Sequence, residues 1–349
     1  MMIDQRMRAG DEGCSKHPAS RRITRMAVYR ACIGSIVLAI VASSLMAWGP
    51  IGHMTVAYLG YQRLSPATKA RVRDLLRLNP DFGEWEKQMP AGISPADHDR
   101  TIFVMAAVWA DDIKGESQYS DDGPEPGGNV PDGSGSSLNI GYGDLLRHRY
   151  WHFIDVPFSP DGAKLPPIPA PNAETQIDTF RAALASSEPD ELKSYDLIWL
   201  LHLIGDVHQP LHAATRVTQE DPAGDAGGNK VRLKGDASSN LHSYWDDLPG
   251  SDCRFCNNKI PCVDRAMVLG LDLPAPPVTA ARELKTSVWV HESFEAARTV
   301  VYQPPIGAKN GPYTIVPESR YETKAMALAR ARLALAGARL AAVLNQELK

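Results

Sequence analysis

Residues 201–212 read LHLIGDVHQPLH. His202 and Asp206 are four apart, so in a helix they share one face. Proline disfavours helix at the preceding Gln209, which lets His212 turn back toward the same place. Residues 240–247, NLHSYWDD, repeat the spacing with His242 and Asp246. A neutral imidazole and a carboxylate on adjacent turns present nitrogen and oxygen ligands of the kind zinc takes. One histidine on an apolar helix is usually a packed core residue, and one His/Asp pair is as readily an ion pair. Two pairs with a third histidine beside the first favour a metal. His208, two residues after Asp206, faces elsewhere and orients the loop. His98, His148 and His291 lack a supporting pattern and read as ordinary.

Outward from this segment the periodicity predicts helices over 51–64, 66–78, 96–113, 173–187, 194–209, 279–302 and 318–346. Ser65-Pro66 supplies a cap and a first-turn proline for the second of them. Residues 115–144 are rich in Gly, Ser, Pro and Asp and read as a mobile surface insert. A small β-hairpin is expected around VRLKGD within 215–240. No repeat and no linker divides residues 48–349. The expectation is all-α: a single mainly helical domain with long loops and that hairpin.

Residues 33–47, IGSIVLAIVASSLMA, form an apolar run too short for a membrane span and are preceded by Arg21, Arg22, Arg25 and Arg30. With small residues up to Ala47, this is a secretory signal pattern, so 1–47 is expected to be removed. A start at Met26 would leave a 22-residue signal. An uncleaved anchor is the competing reading. Export to the periplasm or the medium follows, with no membrane span after processing. Cys253, Cys256 and Cys262 remain beyond the signal. One local disulfide is favoured over half a zinc ribbon whose other half is missing. No N-x-S/T sequon occurs, which points to a bacterial source.

The chain has 349 residues, 44% hydrophobic and 22% charged, an ordinary globular composition. Residues 48–349 carry 30 Lys/Arg against 38 Asp/Glu, a net charge of -8. That excludes a broad basic face for nucleic acid.

Further motifs join the histidine pairs: WGPIGH from Trp48, WADDI from Trp109, WHFID from Trp151, GGN from Gly227, WVHES from Trp289 and AGARLAAVLN from Ala336. In order and combination they resemble the zinc-dependent single-strand nucleases of the S1/P1 type, relatives of bacterial zinc phospholipase C. The resemblance runs from Trp48 to about Asn345 and implies that family's mainly helical fold. It implies three zinc ions. One would take Asp111, His152, His202 and Asp206. A second would take the amine and carbonyl of Trp48, with His53 and the shared Asp206. The third would take His212, His242 and Asp246. A free amino terminus has a reference pKa near 8, so a metal can deprotonate and bind it.

Zinc lowers the pKa of its water to about 7, making a hydroxide available near neutrality. The implied activity is hydrolysis of RNA and single-stranded DNA at the P–O3' bond, leaving 5'-phosphates, with 3'-nucleotidase action on 3'-mononucleotides. A monomer without a stable protein partner is expected. The alternatives are a phospholipase C-like hydrolase and a non-catalytic zinc-binding protein. Asp155 resembles a position near the nucleophile or base, and reads equally as a hydrogen-bond acceptor behind a ligand. Lys114 reads as a phosphate contact or as a solvated lysine. Phe153 reads as a base-stacking ring or a core aromatic. Asn229 is expected to bond in the cleft, and Asp247 to support a ligand or meet substrate. His152 follows Asp111 by 41 positions, a longer separation than the family's, and the cysteines do not match the two disulfides of its eukaryotic members.

Overall fold

A computed structural model describes residues 48–122, 145–235, 238–251, 253 and 258–349. The expected signal peptide, most of the insert and Cys256 lie outside the described residues. Helix α1 (Pro50–Gln62) is the axis of the fold. It is apolar all round and buried from Pro50 to Tyr61, as a helix without a polar face must be. Around it pack α4 (Pro95–Ala106), α7 (Asp190–Asp206), α9 (Ile260–Asp272) and α12 (Arg320–Glu347). The α1–α12 contact is closest at Gly337, where a Cβ would stand 2.5 Å from Leu59 Cβ.

The remaining helices are α2 (Pro66–Leu76), α3 (Phe82–Glu86), α5 (Trp109–Asp112), α6 (Ala173–Leu184), α8 (Leu241–Asp247), α10 (Val278–Ala281) and α11 (Thr286–Ala296). Short polar side chains begin many of them. Ser65, Ser94 and Ser319 accept from the third residue onward at the starts of α2, α4 and α12. Asn172 forms a reciprocal capping box on α6, and Asn240 caps α8. Each cap satisfies an amide that has no partner inside its helix.

The long run expected over 96–113 breaks at Ala107–Val108 into α4 and α5. The Ala107 carbonyl leaves the helical ladder to accept from His202 Nδ1 at 2.8 Å. The run over 279–302 breaks between α10 and α11. There the carbonyls of Glu283 and Leu284 are taken by the Trp289 indole (2.7 Å) and Arg181 (2.6 Å). Where the hairpin is expected, the described residues show an antiparallel bridge of Arg232 with Asn240, flanked by Leu241 N donating to Val231 O at 2.8 Å and Leu233 N to Ser239 O at 3.0 Å. Thr215–Arg216 pairs instead, in parallel, with Pro157–Phe158; we label these β2 and β1. Cys253 and Cys262 form the expected local disulfide. Among the described residues no helix is long and apolar enough to cross a membrane.

A buried ionic cluster locks α12 to α7 and α11. Arg339 bonds both oxygens of Glu292 (2.7 and 2.8 Å) and donates to His208 Nε2 at 3.0 Å. Arg332 joins Glu292 at 2.9 Å. His208 Nδ1 donates to Ile204 O at 2.7 Å. Burial and the two guanidinium groups hold its pKa well below 6.5, so the ring is neutral. His208 thus faces away from the other histidines of its segment, as its spacing requires. Glu292→Ala would leave two buried guanidinium groups without their carboxylate. We expect a loss of about 3 kcal/mol in urea unfolding, the lower end for such pairs because Glu292 is partly exposed.

Candidate metal centre

Three segments converge on the open end of α7. The first is the start of α1, which carries His53 one turn in. Gly205 lets it approach: a Cβ there would stand 2.8 Å from His53 Nδ1. Trp48 is fully buried, and its indole donates to Gly205 O at 3.1 Å. The second is the one-turn α5, which carries Asp111. The third is the 3-10 turn Arg149–His152, which carries His152. Helix α7 supplies His202 and Asp206 on one face, as the four-residue spacing predicts. It stops at Asp206, Gln209 is extended, and the 3-10 turn Pro210–His212 returns His212 to the site.

Asp206 sits at the junction with its two oxygens divided. Oδ1 is 3.3 Å from His53 Nε2. Oδ2 is 3.1 Å from His152 Nδ1 and 3.4 Å from His202 Nε2. Asp111 Oδ1 lies 3.6 Å from His202 Nε2 and 3.9 Å from His152 Nδ1. A separate group unites His212, His242 and Asp246. The ligand-type atoms of His53/His202/Asp206, of Asp111/His152/His202 and of His212/His242/Asp246 each lie within 4.8 Å of one another.

The donor chemistry of these groups suits a cation. A carbonyl oxygen only accepts, so a ring nitrogen bonded to one carries the proton. His202 Nδ1 donates to Ala107 O, His212 Nδ1 to His152 O (2.7 Å) and His242 Nδ1 to Gly227 O (2.7 Å). In the neutral rings each Nε2 is then a bare lone pair. The Nε2 atoms of His212 and His242 stand 3.0 Å apart, an arrangement that a shared cation relieves. Both ring nitrogens of His53, Oδ1 of Asp206, Oδ2 of Asp111 and Nε2 of His152 are buried without a hydrogen-bond partner among the described residues. Orphans of this kind cost energy unless something meets them.

Electrostatics agree. Burial first, then neighbouring histidines and Lys114, hold the His53 and His152 pKa values well below 6.5, and burial with His242 does so for His212. His202 is lowered to about 4, chiefly by burial. These rings therefore keep lone pairs available into moderately acid solution. Asp206 goes the other way, raised well above 3.8 by burial and by Asp111 and Asp246.

Lys114 is not solvated. Its ammonium is buried and lies 2.6 Å from Asp111 Oδ1. Asp155 is half-buried, its carboxyl pushed up to about 7 by burial and by Asp225. Phe153 packs half-buried against the main core. Asn229 turns back on its own loop, Nδ2 donating to Ala226 O at 2.8 Å. Asp247 accepts from Ser238 Oγ at 3.1 Å. Sequence reading missed Gln209, whose Nε2 donates to Asp246 Oδ1 at 2.8 Å while its Oε1 accepts from Leu211 N. It also read His148 as ordinary, yet that ring is fully buried, stacked on Trp151 at 3.5 Å and bonded to Asp122. A histidine next to the WHFID motif was the available signal.

The model of the S1/P1 nuclease family matches residues 48–349. The chain belongs to the S1/P1 nuclease family. Within it, the chain is 23% identical to Endonuclease 2 of Arabidopsis thaliana over 314 residues, 87% of this chain and 92% of that protein. It is 25% identical to Endonuclease 5 of the same plant over 332 residues, 90% and 95% of the two chains. Nuclease S1 of Aspergillus oryzae is 24% identical over 205 residues, 57% of this chain and 53% of that protein. The family match begins at Trp48 and therefore includes every residue of the centre just described.

Proposed function

We propose that this S1/P1 family member is an exported, monomeric, zinc-dependent phosphodiesterase. It cleaves RNA and single-stranded DNA to 5'-phosphorylated products and dephosphorylates 3'-mononucleotides. Three zinc ions would be held by Asp111/His152/His202/Asp206, by Trp48 (amine and carbonyl)/His53/Asp206 and by His212/His242/Asp246. The observation that carries this reading is the division of one buried carboxylate, Asp206, between two histidine groups, with a third His/Asp group alongside. Family membership and relatives named as endonucleases supply the substrate class.

When bound, zinc supplies Lewis-acid polarisation of the phosphate and a water activated near neutrality. The chain's own groups do the rest. Burial keeps the histidines neutral and ready to bind. Main-chain carbonyls fix which nitrogen faces inward. Gln209 orients Asp246, and Lys114 holds Asp111 and adds positive charge beside the phosphate. Asp155, titrating near neutrality, can hold or give up a proton at its carboxyl.

Metal counting on the protein beginning at Trp48 tests this, alongside assays on RNA, single-stranded DNA, a 3'-mononucleotide and phosphatidylcholine. We expect three zinc ions per chain and release of acid-soluble nucleotides, both lost on chelation and restored by zinc. Hydrolysis of the lipid without nucleotide release would assign a phospholipase instead. Retained zinc without any hydrolysis would leave a binding protein.

A further inference from the structure

We propose that the cavity between the β1–β2 pair and the end of α11 is a second subsite for a nucleotide of the same single strand. The base would lie among Phe158, Phe294 and Tyr302, and its phosphate would meet Arg298. This rests on the nuclease reading above. The cavity holds about 710 Å³, within the range of small-molecule sites. The three rings are half-buried. Phe158 stands edge-on to Tyr302 at 5.1 Å and to Phe294 at 6.1 Å between centroids. Arg298 is exposed at the rim, with its guanidinium 5.5 Å from the Phe294 ring centre. Glu295 takes one of its nitrogens at 2.8 Å.

The platform is built in advance. Tyr302 Oη donates to the Asp225 carboxylate at 2.9 Å. The buried Arg216 guanidinium lies over the Tyr302 ring at 4.9 Å and is tied to the carbonyls of Gly307 (2.5 Å) and Lys309 (2.9 Å). Rigid aromatic walls with a cation at the mouth are what single-stranded nucleic acid binds, since every base has a face to stack.

The backbone joins the cavity to the metal centre. Ile154 N donates to His212 O at 2.7 Å, Thr215 N to Val156 O at 3.0 Å and Val217 N to Phe158 O at 2.8 Å. Two strands thus leave the centre side by side, one after His152 and one after His212, and both end in the cavity wall. At the rise of an extended chain, Phe158 lies up to about 20 Å beyond the candidate ligand His152. A strand whose phosphate sits at the centre can reach the cavity with a nucleotide a few positions along, whereas a dinucleotide is too short to span the two.

The zinc-loaded protein tests this with single-stranded oligonucleotides of two to eight nucleotides. KM should fall about 5- to 100-fold from the shortest to the longest, the effect of one stacked base. Phe158→Leu and Arg298→Glu should flatten that dependence. A 2-aminopurine within the longer substrates should be quenched on binding and lose the quench in both variants. Arg298 is exposed, so its variant is informative even where Phe158→Leu folds poorly. KM independent of length in the native protein, or length dependence and quench retained in both variants, would overturn the subsite. So would a cavity that binds phosphatidylcholine vesicles in preference to oligonucleotides. Absence of hydrolysis at every length would instead overturn the nuclease reading itself.

Discussion

Asp206→Asn is expected to reduce phosphodiester hydrolysis at least about 1000-fold and to lower bound zinc from three ions per chain to one. Both Asp206 oxygens face histidines, Oδ1 toward His53 and Oδ2 toward His152 and His202. An amide of the same shape keeps one oxygen, now without charge, and turns the other into a donor, so of the two proposed zinc ions that share Asp206 one loses its ligand atom and the other keeps only a neutral one. The group of His212, His242 and Asp246 is separate and should retain its ion. Metal analysis of the purified variant gives the count, and the same sample gives the rate.

Stability distinguishes this from simple misfolding. The Asp206 carboxyl is raised well above 3.8 by burial, then by Asp111, with Asp246 adding to it. A carboxyl raised in the fold contributes its full stability below its unfolded pKa and loses it as pH rises through the folded value. In chelated protein, Asp206→Asn should therefore be the more stable form, with a Tm advantage that grows from about pH 4 upward. The histidines slope the other way. Held low in the fold, they contribute fully above 6.5 and lose stability as pH falls, through about 4 for His202. They are common to both proteins and cancel in the comparison. A variant less stable than native chelated protein at neutral pH would contradict the reading of a carboxylate that needs a cation.

The second large effect concerns Trp48. One extra residue ahead of it should cost one zinc ion and at least about 100-fold in activity, with Tm of the chelated protein unchanged. An amino-terminal amine can bind a metal because its lone pair is available, whereas a peptide nitrogen has given its pair to the amide bond. The residue is well placed for this part. Its indole is anchored to Gly205 O, next to Asp206, and its Cβ sits where a side chain on Gly52 would have to go, 2.6 Å away. Native mass spectrometry of proteins starting at Ala47 and at Trp48 would read the difference directly. Equal zinc content and equal activity would remove Trp48 from the ligand set.

Much of this centre was legible from spacing. Four-residue gaps in a helix leave no choice of face, so His202 with Asp206 and His242 with Asp246 declared themselves. Pro210 likewise announced the turn that brings His212 back. What stayed hidden depends on contacts between distant segments. The break at Ala107 exists because a carbonyl is wanted by His202, ninety-five residues later. The pairing of Thr215–Arg216 with Pro157–Phe158, rather than with its own downstream loop, continues the link between Ile154 and His212. The five-residue α3 is too short to carry a periodic signal, whereas α9 is clearly amphipathic, with Cys262, Val263, Ala266 and Gly270 buried on one face, and its pattern was readable. Lys114 read equally as a phosphate contact and as a solvated loop lysine, because burial of an ammonium is invisible until Asp111 is seen beside it.

The tethers on His202, His212 and His242 carry a consequence for descent. Each ring is aimed by a main-chain carbonyl, of Ala107, His152 and Gly227 respectively. A carbonyl is supplied by whichever amino acid occupies the position, so substitution there leaves the aim intact provided the backbone path is kept. The orientation of these three rings is thus inherited through chain trace rather than through side-chain identity. The side chains at those three positions can change while such a device persists. Insertions and deletions beside Ala107 or Gly227, which shift the carbonyl itself, are the changes that lineages of this chain should tolerate least.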